Sequence, residues 1–143
     1  MLAFWKLEIS IKKPVIQKFK SNPKTLGDHI RKKRIENREL QKVIADRLRI
    51  SEDTITGWEN NRTQPMVHFY PAIIEYLGYL PITINRKTLG GKIRHYRYIK
   101  GFSRKKLGKL LRVDASTIAS WETNKFKPNR IALKRIEKLL LRN

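Results

Sequence analysis

The chain has 143 residues, enough for one ordinary domain or two very small ones, each with little surface to bury. Hydrophobic residues make up 40% and charged residues 31%, a balance that excludes a disordered chain. Lys and Arg number 33 against 12 acids, a formal net charge of +21 that calls for a polyanionic partner, and the absence of cysteine excludes disulfide frameworks and thiolate metal sites.

Residues 1–24 read as a basic arm, poorly structured or a short strand. Pro14 and Pro23 interrupt it, while Trp5, Leu7, Ile9 and Ile11 alternate with polar neighbours. Lys6 and Glu8 break the apolar start before it reaches signal-peptide length. No other segment is long and uncharged enough to span a bilayer. A soluble, cytoplasmic protein is expected.

The rest of the chain is organised by an internal repeat, which must be sought first because missing it misassigns the fold. At an offset of 63, with no gap, Thr25, Leu26, Gly27, Ile30, Arg31 and Arg34 match Thr88, Leu89, Gly90, Ile93, Arg94 and Arg97. Further on, Leu48, Arg49, Thr54, Ile55, Trp58, Glu59, Asn61 and Pro65 match Leu111, Arg112, Thr117, Ile118, Trp121, Glu122, Asn124 and Pro128. Chance does not hold register through so many positions.

In the first copy, expected over 25–80, apolar residues have helical spacing: Leu26 and Ile30; then Val43, Ile44 and Leu48; then Ile55 and Trp58. Ser51 stands where the third helix begins, its side-chain oxygen able to cap the first turn. Tyr70, Ile73, Ile74 and Leu77 form a closing helix with Gly78 as its stop. Pro81 heads a linker over 81–87. The second copy, 88–143, repeats the pattern with Leu89 and Ile93, Leu107 and Leu111, and Ile118 and Trp121, the last pair following an expected cap at Asp114. Ala132, Ile136, Leu139 and Leu140 close it.

A short helix, a tight turn and a second helix opening on Ser or Thr and closing on an aromatic is how a helix-turn-helix reads in sequence. IADRLRISEDTITGWENNRTQP and LGKLLRVDASTIASWETNKFKP fit the description LAxxLGVSxxTIxxWExGxxxP. Both copies thus resemble the Cro and phage-repressor type of helix-turn-helix, often called Xre-like, and the resemblance runs from Thr25 to the C-terminus. It implies an all-α fold of two tandem small helical bundles. The implied function is sequence-specific binding of double-stranded DNA by a bacterial transcriptional regulator. Its recognition helices would start near Ser51 and Asp114 and enter the major groove.

By that resemblance the groove-facing positions are Glu52, Asp53, Thr54, Gly57 and Asn60 in copy one, and Ala115, Ser116, Thr117, Ser120 and Thr123 in copy two. Gln41, and Arg104 in the equivalent place, would meet phosphate. Arg62, Lys105 and Lys125 are further expected DNA contacts. Thr54 and Thr117 could equally be helix-start residues. Trp58 and Trp121 are expected in the core. Arg34 with Glu59, and Arg97 with Glu122, are assigned to architecture as partly buried ion pairs.

The pattern departs from the family where Arg49 and Arg112 replace the usual turn glycine, and where Glu52 and Asp53 put acids toward DNA. Charge separates the copies too. Residues 25–65 hold nine Lys or Arg against seven acids, residues 88–128 eleven against two. Most of the counterion-release affinity is therefore expected from copy two.

His29, His68 and His95 are scattered, and neither a Gly-rich phosphate loop nor a nucleophile with an arranged base is present, so no enzyme, cofactor or metal is expected. The alternatives are an antitoxin-like or coactivator-like interaction protein, or an RNA-binding protein. A membrane partner is not expected. The chain could act as a homodimer, or as a monomer with two recognition helices on inverted or direct half-sites.

Overall fold

A computed structural model describes residues 22–142. The strand reading over Trp5 to Ile11 lies outside these residues. Among the described residues the chain is all-helical, with no strand. The first copy holds α1 (Leu26–Glu36), α2 (Gln41–Leu48), α3 (Glu52–Glu59) and, after a 3-10 turn at Val67–Phe69, α4 (Tyr70–Leu77). The second holds α5 (Leu89–Lys100), α6 (Arg104–Leu111), α7 (Ala115–Glu122) and α8 (Arg130–Leu140).

Helix starts follow side-chain chemistry. Thr25 Oγ1 accepts from Asp28 N at 3.0 Å while Asp28 Oδ2 accepts from Thr25 N at 3.1 Å, a reciprocal capping box. Burial alone would raise the Asp28 carboxyl. Hydrogen bonds from Lys24 N, Asn61 and Thr25 outweigh it and hold its pKa below the ordinary value. Thr88, Ser103 and Asn129 cap α5, α6 and α8 with their side chains. Ser51 does the same for α3, its Oγ accepting from Thr54 N at 3.2 Å.

Asp114 departs from that expectation. It has the extended backbone of an N-cap, but its carboxylate makes no capping bond to α7. The head of that helix is closed only by its backbone, through Ile118 N to Asp114 O at 3.2 Å.

Each copy has its own core, and the two share no residue. Ile30, Ile44, Ile55 and Ile73 are fully buried in the first; Ile93, Leu107, Ile118 and Ile136 take that role in the second. Burying one such side chain stabilises by about 1.5–3 kcal/mol, so these few aliphatic residues carry much of each small unit. Trp58 and Trp121 are buried among them.

Val43, part of the helical apolar spacing, is exposed, because the buried stripe of α2 is Ile44, Ala45 and Leu48 and the preceding residue points about 100° away from it. The repeated glycine of the first helix has a clear cause. A Cβ on Gly27 would lie 1.8 Å from the Trp58 carbonyl oxygen, and one on Gly90 2.1 Å from that of Trp121. The first helix of each copy crosses the end of the third at backbone distance, which no larger residue permits.

Candidate nucleic-acid interface

In both copies the second and third helices pack on each other across a three-residue turn, 49–51 and 112–114. Arg49 and Arg112 end α2 and α6 in the left-handed region, at φ 55° and 59°. Ile50 N then reaches back to Ala45 O at 3.0 Å, and Val113 N to Gly108 O at 2.9 Å, closing the helix ends. A left-handed turn that glycine adopts without strain is thus made here with arginine, at a cost of about 1–2 kcal/mol in each copy.

A buried glutamate fixes each third helix to its neighbours. Arg34 Nε and Nη2 donate to the two oxygens of Glu59 at 2.6 and 2.7 Å, while Arg34 Nη1 donates to Glu39 O in the α1–α2 turn. In the second copy Arg97 Nε and Nη2 donate to Glu122 and Nη1 to Phe102 O. Hydrogen bonding to Glu59 raises the Arg34 pKa against the opposing effect of burial. For Arg97 burial is the larger influence and favours the neutral form, but the hydrogen bonds and charge of Glu122 prevail and its pKa is also raised. Both pairs tie the first helix to the end of the third.

The residues expected at phosphate bond to these buried glutamates. Gln41 Nε2 donates to Glu59 Oε2 at 2.8 Å, and Gln41 Oε1 accepts from Thr56 Oγ1 at 3.0 Å. Arg104 Nε donates to Glu122 Oε2 at 2.9 Å, with 46% of its side chain still exposed. Glu122 consequently sits between two guanidiniums, whereas Glu59 faces one guanidinium and one amide.

On α3, Glu52, Asp53 and Asn60 are exposed, with Arg62 just beyond the helix. Thr54 is partly buried, and its Oγ1 lies 2.8 Å from Ser51 Oγ inside the cap. Thr54 thus takes part in the cap of α3. On α7, Ala115, Ser116 and Thr123 are exposed, while Thr117 and Ser120 are partly so. Ser120 Oγ donates to Ser116 O at 3.0 Å, and Thr123 Oγ1 donates to Ala119 O at 3.0 Å. Both hydroxyls then face outward with acceptor lone pairs. Arg104, which bonds to Glu122 at the end of α7, Lys105 beside it on α6 and Lys125 just after α7 are all exposed.

Compared with known proteins, the chain matches no family model, no curated protein and no solved structure. The site must be judged on its own chemistry. Among the described residues no group of three or more His, Cys, Asp or Glu could hold a metal ion, and no helix is long and apolar enough to cross a membrane.

Two features escaped the reading by residue type. Asn61 and Asn124, both left-handed, fold the chain after the third helix back onto the head of the first. Asn61 Nδ2 donates to Asp28 Oδ1 at 3.1 Å, and Asn124 Oδ1 accepts from Gly90 N at 3.3 Å. Their identity at the repeat offset was the available signal. The second is in copy one alone: Tyr76 Oη donates to Glu39 Oε2 at 2.8 Å, and burial with that bond pushes the phenol above its ordinary range.

Proposed function

We propose that the chain is a sequence-specific double-stranded DNA-binding protein, a bacterial transcriptional regulator of the Xre-like type. On this reading it comprises two tandem phage-repressor-like helix-turn-helix bundles, with α3 and α7 as recognition helices. It would act at the nucleoid in the cytoplasm. An α-helix with its side chains is about 10–12 Å across, which suits a major groove about 12 Å wide.

The observation that carries the reading is the outer face of α7. Small uncharged side chains (Ala115, Ser116, Ser120 and Thr123) would let the helix approach base edges, and the exposed Arg104, Lys105 and Lys125, from the start of α6 and the chain just after α7, are the cations that would meet phosphates. The same observation ranks the copies, because α3 presents Glu52 and Asp53 instead. Copy two supplies most of the affinity. No catalytic step or cofactor enters this reading.

The acidic head of α3 favours a second reading for copy one alone, as a protein-contact surface of the coactivator kind. Competition decides among these. The full chain is expected to prefer a duplex selected from a random pool over bulk duplex and over double-stranded RNA, with protection of bases under α7. Equal competition by the RNA would refute the DNA reading. Protection confined to one half-site, unaffected by Glu52→Gln, would assign copy one to protein contact.

A further inference from the structure

The two copies are joined by more than the chain that links them. Helix α4 packs against α5, and the 3-10 turn before α4 touches α5 as well. Tyr70, at the head of α4, stacks on Tyr98 with ring centroids 4.9 Å apart and planes 24° apart. Burial raises the Tyr70 pKa, with the neighbouring Tyr98 adding to it. At the end of α5, Gly101 adopts φ +64° so close to Pro71 that a Cβ there would meet the proline Cδ at 2.8 Å. The Tyr98 ring also lies under the Arg97 guanidinium, 4.6 Å from the ring centroid. The seam therefore reaches the arginine that anchors α7.

Its two sides are built from different elements, the fourth helix of one copy and the first helix of the other. A two-fold axis between the copies would require the reciprocal packing, α1 on α8, with equal strength. At the repeat offset Tyr70, Pro71, Tyr98 and Gly101 correspond to Leu133, Lys134, Ile35 and Arg38. None of the stack or the close approach is reproduced there, and no comparable α1–α8 packing accompanies the seam. The copies are joined head to tail.

That arrangement limits the DNA it can read. The halves of an inverted site are exchanged by a two-fold axis perpendicular to the duplex, and a protein that engages both equivalently must share that axis. Direct half-sites are related by rotation about the duplex and translation along it, which a head-to-tail pair can follow. We propose that one chain reads a non-palindromic duplex site made of two half-sites in the same orientation. The half-sites differ in sequence, because Glu52, Asp53 and Asn60 face one and Ala115, Ser116 and Thr123 the other. An acid at the groove accepts from cytosine N4, so cytosine is expected under α3. This inference rests on the DNA-binding reading above.

The seam also ends with this chain. Repeating it onto a second molecule would bring Lys134 of one copy against Arg38 of the next, both exposed and both positive. Like charges there oppose a growing filament, and the unit on DNA is a single chain.

The test is selection of duplexes from a random pool by the full chain, then native mass spectrometry and binding on direct, inverted and single half-site duplexes. One chain per duplex and a consensus of two like-oriented half-sites are expected. The direct arrangement should bind on the order of a hundredfold more tightly than the inverted one, through linkage of the two contacts. A palindromic consensus, a single half-site, or equal binding of the inverted duplex would overturn the proposal and leave DNA binding intact. No enriched sequence at all, with RNA competing equally, would instead fail the reading beneath it. The variant Gly101→Arg installs the residue that copy one already carries in this left-handed turn, so the second bundle keeps its fold while the seam is wedged open. Its direct-over-single advantage should fall at least tenfold, because the two contacts lose their rigid coupling. An unchanged advantage would remove the seam from the account.

Discussion

Glu59 and Glu122 occupy the same place in the two copies but are surrounded differently. Glu59 is shared by Arg34 and the neutral Gln41, and its arginine keeps 16% of its side chain exposed. Glu122 lies between Arg97, only 6% exposed, and Arg104, which extends to the surface. One residue exchange, Gln41 for Arg104, leaves the scaffold unchanged and adds a positive charge beside α7. The difference teaches that the two bundles conserve the same internal tie while diverging in what they present outward. Copy one has acids at the head of its third helix, and copy two has cations around it.

The largest expected effect breaks the tie itself. Glu122→Gln leaves a buried Arg97 uncompensated and should cost on the order of 3–5 kcal/mol. Glu59→Gln should cost less, because Arg34 can turn toward water. Urea unfolding followed separately through Trp58 and Trp121 checks both, and equal losses would erase the distinction in burial.

Matched cations sharpen the comparison next. Lys42 and Arg62 of copy one stand at the offsets of Lys105 and Lys125 of copy two. Replacing either of the latter with Ala should lower the salt slope of DNA binding by about 0.9, the contribution of one phosphate contact. The copy-one replacements should change it less. Fluorescence titration across a range of salt concentrations reads the slope, and equal changes would overturn the ranking of the copies.

Exchanging the differing residue is a smaller perturbation. Gln41→Arg gives Glu59 a second guanidinium but removes the acceptor that Thr56 uses. The net change in stability should stay within about 1 kcal/mol, as for other partly exposed ion pairs. Arg104→Gln should likewise leave folding nearly intact while weakening DNA binding, and a loss of folding would place Arg104 in the scaffold instead.

The smallest effect is expected from pH. Burial holds both His29 and His95 below the ordinary histidine pKa, with Arg86 adding to the effect at His95. Folding therefore favours their neutral forms. Their contribution is complete above the unfolded value of about 6.5 and is lost as pH falls through the lower folded values. Urea midpoints should drop modestly between pH 7.5 and 5, and less so in His29→Asn. A midpoint that rises on acidification would contradict the direction.

Much of the fold was legible because its signals are local. Apolar spacing located the helices, and Thr25, Ser51 and Gly78 mark their ends through their own side-chain or backbone chemistry. The spacing did not place Val43, because a run of adjacent apolar residues does not tell which one faces inward on a helix of two turns. Asp114 misled because residue type gives capacity to cap, not side-chain direction. At the candidate interface, charge and exposure of α3 and α7 were readable, whereas the binding of Gln41 and Arg104 to buried glutamates depends on distances between helices. The Tyr70–Tyr98 seam left no periodic trace, since it joins unlike positions of the repeat.

The left-handed arginines carry a consequence for engineering. Arg38, Arg49 and Arg112 each hold a backbone conformation that glycine adopts without strain. Glycine there would relax the backbone by roughly 1 kcal/mol per site, at the expense of a cation that a polyanion can use. On the proposed DNA-binding reading, heat tolerance and grip on nucleic acid are thus opposed at the same turns, and a hardier version of this molecule would be a weaker binder.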